Sequence, residues 1–86
     1  MDTAKIGKFI RELRKENGMT QKDLADALYI TDRAVSKWER GLSVPDIALL
    51  EPLSEVLGVS ISEIIAGQRN ETGLSPAVTV TKEFIV

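Results

Sequence analysis

The chain has 86 residues, enough for one small domain with a short additional segment. Hydrophobic residues make up 43% and charged residues 28%, a composition typical of a globular domain rather than a disordered chain. Cysteine and histidine are absent, which excludes disulfides, zinc sites built on these residues and nucleophile–histidine catalysis. No apolar run is long enough to cross a membrane. We therefore expect a cytoplasmic protein, not an enzyme, with no metal and no cofactor.

The net charge of −2 is distributed unevenly along the chain. Residues 1–45 contain nine Lys and Arg against seven Asp and Glu, whereas residues 46–86 contain two against six. Recognition of a nucleic acid needs a local positive patch rather than a basic protein. The first half of the chain therefore permits DNA binding, although its charge does not demand it.

The first predicted helix has an apolar stripe at the i, i+3, i+4, i+7 spacing of one helix face. Its members are Ile6, Phe9, Ile10 and Leu13. The helix is predicted to stop at Asn17-Gly18, because Gly tolerates the left-handed backbone that closes a helix.

One start signal occurs three times along the chain. It consists of an apolar residue, a Thr or Ser whose hydroxyl can accept an unpaired backbone N–H, and a second apolar residue in the first turn. It predicts helices that begin after Thr20, Thr31 and Ser60. Glu63 completes a capping box at the last of these starts, and Asp23 makes an approximate one at the first.

Helix four is predicted over about residues 46–57, where a broad apolar face runs through Pro52. Proline inside a helix removes one backbone hydrogen bond, so we expect a bend there. Residues 68–75 are polar and are predicted to form a linker. We therefore divide the chain into a domain of residues 1–67 and a linker and tail of residues 68–86.

The tail has two interpretations. Val78 and Val80 favour a strand, while Ser75-Pro76 is a good helix start. Residues 84–86 are three consecutive apolar side chains with no stop signal, which would form an adhesive patch in water. The tail is therefore expected to be a dimerisation segment, to dock a protein partner or to lead into a further domain.

Only Tyr29-Ile30-Thr31 separates helices two and three, which is too short for an antiparallel hairpin but suits a helix-turn-helix. With one helix before this pair and two after it, the chain resembles the phage repressor/Cro-like (XRE-type) DNA-binding family over about residues 4–67. The segments that carry the resemblance are LRKENGMTQKDLADAL, TDRAVSKWERG, SVPDIALLEPLSEVLGVS and ISEIIAG. The resemblance implies an all-α fold, a compact five-helix repressor-like bundle with a central helix-turn-helix, followed by a C-terminal tail.

The resemblance also implies a role for the outward side of helix three. Arg33, Lys37 and Asp32 match the positions that reach base edges in the major groove. Arginine paired with guanine is the commonest specific contact, whereas Lys37 could contact guanine or phosphate. Asp32 also has a local interpretation, because the helix dipole favours a carboxylate at a helix start whether or not DNA is present.

Other positions match residues that contact the DNA backbone in this family. The implied phosphate contacts are Gln21, Ser36, Arg40, Thr31 and Lys22. For Ser36 and Arg40, a purely solvated surface is an equal alternative. Arg14 and Glu39 match a recurrent ion pair that joins helix one to the recognition helix.

Tyr29 departs from the family pattern. The family often has glycine at this position, because the turn passes through left-handed backbone. Tyrosine in that conformation should cost about 1–2 kcal/mol.

The function implied by the resemblance is that of a sequence-specific transcriptional regulator of a bacterium or its phage. We expect a repressor that binds double-stranded operator DNA as a homodimer and does not bind a membrane. A protein-interaction module or antitoxin-type protein with the same fold is the alternative, with the tail docking its partner. Stable co-purification with a partner would favour that alternative, whereas steep salt dependence on a specific DNA site would favour the regulator.

Overall fold

Five helices make up the part of the protein that the computed structural model describes, residues 1–70. They are α1 (Thr3–Glu16), α2 (Gln21–Leu28), α3 (Asp32–Glu39), α4 (Ile47–Leu57) and α5 (Ile61–Ala66). No strand occurs in these 70 residues, and the predicted all-α five-helix bundle is confirmed. The alternatives for the tail, strand or helix, lie outside the described residues, and the domain boundary after residue 67 stays a prediction.

One core joins all five helices. Each helix contributes a side chain with no exposed surface, and these are Ile10, Leu24, Val35, Leu53 and Ile64. Burying one aliphatic side chain of this size stabilises the fold by about 1.5–3 kcal/mol. Because helices of six to fourteen residues are marginal on their own, this shared core holds them in place.

The two capping boxes that the sequence predicts are both present. The Thr20 hydroxyl accepts from the Asp23 N–H at 3.0 Å, and the Asp23 carboxylate accepts from the Thr20 N–H at 2.9 Å. Ser60 and Glu63 exchange the same pair of bonds at the start of α5, at 3.1 and 2.9 Å. These bonds satisfy N–H groups that the helices themselves leave unpaired.

The turn between α2 and α3 has the left-handed backbone expected from the family pattern. Tyr29 closes α2 with φ 58° and ψ 42°, and among the described residues it is the one non-glycine residue with positive φ. Its side chain is 95% exposed, so no packing compensates the backbone strain.

Helix α3 is brought unusually close to α1 at Gly7. A Cβ atom at this position would overlap the Trp38 carbonyl oxygen, so any larger residue would force the helices apart. Glycine inside a helix costs about 0.5–1 kcal/mol relative to alanine. Glycine at this position therefore costs stability within α1, but it allows the C-terminal end of α3 to lie directly against α1.

Helix α4 is continuous from Ile47 to Leu57 with Pro52 inside it. The proline at which we expected a bend therefore does not divide the helix. Its apolar face supplies the buried Leu53 and Leu57. Asp46 is the N-cap residue rather than the first helical residue, and its side chain makes no capping hydrogen bond.

Candidate nucleic-acid interface

Helix α3 has one buried side and one exposed side. Val35 and Trp38 are 0% and 3% exposed and anchor the helix in the core. Asp32, Arg33 and Lys37, the residues implied as base contacts, are all exposed. Arg33 and Lys37 are four residues apart, which puts their side chains on the same side of the helix, and Asp32 is the first residue of the helix.

Arg33 and Lys37 have uncommitted cationic groups. Within residues 1–70, neither side chain forms a hydrogen bond or an ion pair, and the same holds for the Asp32 carboxylate. Guanidinium and ammonium groups have only donors to offer. They are therefore free to meet acceptors such as guanine O6 and N7, or phosphate oxygens.

Three implied phosphate contacts lie around α3. Thr31 is its N-cap, and its hydroxyl accepts from the Ala34 N–H at 3.3 Å. Arg40 follows the helix, and its Nε lies 3.2 Å from the Ser36 hydroxyl and 3.3 Å from the Ser36 carbonyl oxygen. This contact directs the Arg40 side chain back along α3 toward Ser36, so the two polar side chains lie next to each other.

The remaining two, Gln21 and Lys22, are the first residues of α2. Lys22 is exposed and lies 3.4 Å from the Asp26 carboxylate one turn along the helix. An exposed pair of this kind is worth well below 1 kcal/mol, so the lysine can exchange it for a phosphate. Gln21 is half-buried, and its Nε2 donates to Glu39 Oε1 at 3.1 Å.

The Glu39 carboxylate is the meeting point of three helices. Arg14 Nε of α1 donates to Glu39 Oε2 at 2.6 Å, and Arg14 Nη2 donates to Glu39 Oε1 at 3.0 Å. Gln21 of α2 adds the third donor. The ion pair implied by the resemblance is thus present as a bidentate contact, with its side chains only 10% and 4% exposed.

The Arg14 guanidinium has a further partner, the Met19 carbonyl oxygen, at 2.7 Å from Nη1. Hydrogen bonding to Glu39 raises the pKa of Arg14 above its ordinary value, more than burial lowers it. A buried charge is costly unless its donors are satisfied, and here Nε, Nη1 and Nη2 each have an acceptor. The pair therefore fixes the end of α3 against α1 and the start of α2.

The bond between Gln21 and Glu39 was not predicted from the sequence. An ionised carboxylate only accepts hydrogen bonds, so the NH₂ group of Gln21 must face Glu39. Its second N–H and its carbonyl oxygen remain for other partners. Helical periodicity at Gln21 carries no signal for this bond, because the two residues are 18 positions apart.

The exposed side of α3 with Arg40 has three cationic groups and one carboxylate. The described residues contain no group of three or more His, Cys, Asp or Glu that could hold a metal ion. Among those same residues, no helix is long and apolar enough to cross a membrane. Because the exposed side of α3 with Arg40 has more cationic groups than carboxylates, its local charge is positive although the chain as a whole is negative.

The chain matches known helix-turn-helix proteins in sequence. The family model described as "Helix-turn-helix" matches residues 10–64. The HTH-type transcriptional regulator DicA of Escherichia coli (strain K12) is 42% identical over 71 residues, which are 83% of this chain and 53% of DicA. This chain spans 29% to 57% of the length of the first five curated relatives.

Solved structures agree with the sequence matches. The P22 c2 repressor in complex with a synthetic operator is 30% identical, with a TM-score of 0.70 over 73% of this chain and 96% of that chain. The biofilm regulator SinR in complex with DNA is 36% identical, with a TM-score of 0.64 over 70% of this chain and 97% of that chain. The described bundle, the α2–α3 joint and these matches together show that the chain belongs to the XRE-type helix-turn-helix family of transcriptional regulators.

Proposed function

We propose that this protein acts in the cytoplasm as a sequence-specific DNA-binding repressor that inserts α3 into the major groove. The observation that carries the proposal is the uncommitted row of Asp32, Arg33 and Lys37 on a helix whose other side is buried. The major groove is wide enough to admit an α-helix. Trp38 and the Glu39 ion pair hold the helix in place. Its exposed side chains are therefore presented to DNA by a backbone that is already ordered before binding.

The proposed contacts divide into two classes. Arg33 and Lys37 bind acceptors on base edges, and Asp32 accepts from a cytosine amino group or acts only as a charge at the helix start. Phosphates are bound by the polar groups around them, which are Gln21, Lys22, Thr31, Ser36 and Arg40. Phosphate contacts fix the register of the protein on the duplex but carry no base identity.

Gln21 has a specific part in this arrangement. Glu39 holds one N–H of its carboxamide, which leaves the second N–H as the donor for a phosphate oxygen. The same carboxylate holds Arg14, so the phosphate contact at α2 and the position of α3 depend on one group. Phosphate binding and base reading are thereby coupled through Glu39.

We further propose that the protein binds as a homodimer to two half-sites about one helical turn, roughly 10 bp, apart. The likeness to the P22 c2 repressor in complex with a synthetic operator and to SinR in complex with DNA supports DNA as the partner. Repression follows where such an operator overlaps a promoter.

The test begins with selection of bound sequences from a random duplex pool, followed by titrations of the selected site at several salt concentrations. Arg33→Ala should lower specific affinity by about 1–3 kcal/mol and relax the preference at one base pair in each half-site. Lys22→Ala should instead weaken all sequences equally and reduce the salt slope by about one. Arg11→Ala is the matched control, because Arg11 is an exposed arginine on α1. Unchanged base preference in Arg33→Ala would contradict its role in base reading.

The alternative is a protein-interaction module or antitoxin-type protein with the same fold. Exposed aliphatic side chains that the proposed DNA contacts do not use favour it, among them Leu42 at 63% and Ile47 at 83% exposure. Such a protein would select no sequence from the duplex pool and would co-purify with its partner. An antitoxin that also binds DNA would do both.

A further inference from the structure

An apolar surface lies on a part of the bundle that the proposed DNA contacts do not use. It surrounds a cavity of about 110 Å³ that is lined by residues of α1, α4, α5 and the segment before α4. No charged side chain lines this cavity. Its exposed rim is formed by Val44, Ile47 and Ile65, and we refer to the cavity with this rim as the α4–α5 surface.

The α4–α5 surface differs from the rest of the bundle in its lack of charge. The exposed residues of α5 carry no charge, and they are Ile61, Ser62, Ile65 and Ala66. On α1, by contrast, six of the seven exposed residues are Lys, Arg or Glu. The one carboxylate of α5, that of Glu63, accepts from the backbone N–H groups of Ser60 and Asn70. Exposed apolar side chains with few charges are typical of the centre of a protein–protein interface.

We propose that the α4–α5 surface is the interface of the homodimer, with a second copy of this chain as its occupant. The inference rests on the proposed homodimer and names the surface that forms it. In a twofold interface, a residue near the axis meets its own copy, so a charged residue there would face a like charge. The α4–α5 surface can lie on its own copy without that repulsion, because Asp46, although it precedes Ile47 in the chain, does not line the cavity.

The α4–α5 surface also has a projection and a cavity side by side. Ile47 lines the cavity and is nevertheless 83% exposed, so it projects beside the opening. An apolar cavity of about 150 Å³ holds a benzene ring, so one of about 110 Å³ accepts a single aliphatic side chain. In a twofold dimer, Ile47 of each copy can enter the cavity of the other. Because Ile47 also lines the cavity, the two Ile47 side chains would then lie next to each other.

The position of the α4–α5 surface relative to α3 suits two half-sites on DNA. Half-sites one helical turn apart place the two recognition helices about 34 Å apart, so each lies about 17 Å from the twofold axis. From Ser36, in the middle of α3, the chain can extend at most about 20 Å to Val44. The rim of the surface can therefore reach the axis while α3 occupies the major groove.

The size of the α4–α5 surface predicts a weak free dimer. A standard interface has about 20–30 residues on each side, whereas the cavity lining and the exposed side of α5 together provide roughly half that number or fewer. We therefore expect a dissociation constant on the order of 0.1 mM in the absence of DNA.

Charged substitutions at Ile47 test the self-contact directly on the 86-residue chain. Ile47→Glu and Ile47→Lys are measured separately and as an equal mixture, by sedimentation without DNA at up to about 1 mM protein. Tyr29→Glu and Tyr29→Lys are the matched controls, because Tyr29 is 95% exposed and does not line the cavity. Circular dichroism verifies that all four variants keep the helical content of the unchanged protein.

We expect each Ile47 variant alone to dimerise at least about tenfold more weakly than the unchanged protein, since like charges then meet at the axis. The mixture should recover dimers that contain one chain of each variant, which native mass spectrometry identifies. The Tyr29 variants should associate as the unchanged protein does.

Three results would overturn the inference: an unchanged protein that stays monomeric at about 1 mM, Ile47 variants that dimerise normally, or a mixture that recovers no dimer. The first would leave another protein as the occupant, and the second would move the dimer contact to another surface. Because these measurements contain no DNA, they are independent of operator binding. Failure to select any DNA sequence would count against the proposed function and not against this interface.

Discussion

The joint between α2 and α3 and the joint between α4 and α5 have the same construction with different residues. Each begins with a left-handed residue, Tyr29 at φ 58° and Gly58 at φ 74°. Each continues with a half-buried aliphatic residue packed on the core, Ile30 and Val59, whose N–H bonds to a carbonyl five residues back. A hydroxyl residue then caps the next helix.

The difference between the joints is the strain at their first residue. Glycine adopts left-handed backbone without penalty, whereas tyrosine does not. Tyr29 nevertheless has nearly the same φ as Gly58. The aliphatic and capping residues that follow therefore impose the turn, even where the residue at the turn opposes it. Only the first joint is followed by a helix tied to α1 and α2 through Glu39.

The largest expected effect comes from removing that tie. Glu39→Ala leaves the Arg14 guanidinium buried without its counter-ion, which typically costs about 3–5 kcal/mol. Denaturant unfolding measures the loss. Glu55→Ala, an exposed glutamate on α4, is the control and should change stability by less than about 0.5 kcal/mol. Similar losses in both variants would mean that the Glu39 ion pair does not anchor α3 at the first joint.

A smaller effect is expected when the strain of the first joint is transferred to the second. Gly58→Tyr adds about 1–2 kcal/mol of backbone strain, because a side chain must then adopt left-handed backbone, but reduces the entropy lost on folding by about 0.5–1 kcal/mol, so we expect a net loss of up to about 1.5 kcal/mol. No atom lies within 4 Å of a Cβ placed at Gly58, so a clash is not expected. Thermal unfolding measures the effect, and Gly58→Ala should reduce the free energy of unfolding by nearly as much as Gly58→Tyr. A much greater loss for tyrosine than for alanine would show that the side chain, not the backbone, is responsible.

The reciprocal change should relieve the strain of the first joint. Tyr29→Gly removes about 1–2 kcal/mol of backbone strain but increases the entropy lost on folding by about 0.5–1 kcal/mol. We therefore expect a net gain of up to about 1.5 kcal/mol, measured by thermal unfolding. Tyr29→Ala keeps the strain and should leave stability nearly unchanged, because the ring is exposed. A loss of stability in the glycine variant would reveal a stabilising role for the tyrosine.

The smallest effect concerns the capping carboxylates that start α2 and α5. Hydrogen bonds from Thr20, first the backbone N–H, lower the pKa of Asp23, and backbone N–H groups of Ser60 and Asn70 lower that of Glu63. A carboxylate whose pKa is lowered in the folded state stabilises the protein at pH values above its unfolded pKa. This stabilisation is lost as the pH falls through the folded pKa. Stability should therefore decrease as the pH falls below the ordinary Glu value of 4.5.

Replacing either carboxylate with its amide tests this dependence. Asp23→Asn and Glu63→Gln should each flatten the acid side of the curve of unfolding free energy against pH. The effect should be greater at Glu63, because the Asn70 N–H gives it a second backbone donor. Asp26→Asn is the control, since that exposed carboxylate caps no helix. An unchanged acid slope in Glu63→Gln would contradict its contribution.

Local signals in the sequence were sufficient for the five helices and for several of their boundaries. Thr20 and Ser60 start helices because their hydroxyls accept hydrogen bonds within the same turn, and Asn17-Gly18 ends one by its own backbone preference. The spacing of apolar residues determined which side of each helix is buried, including Val35 and Trp38. The exposed row on α3 followed from the same periodicity, and its roles in DNA binding followed from the family resemblance.

Only the tertiary structure decided which distant groups meet. Three features each join residues that are far apart in sequence: the bond between Gln21 and Glu39, the close approach at Gly7, and the apolar cavity lined by Ile6, Ile47 and Ile64. Helical periodicity identifies the side of a helix that is buried but not the partner or the distance of approach. Those depend on how all five helices pack together, because close packing leaves room at Gly7 for one hydrogen atom and for nothing larger.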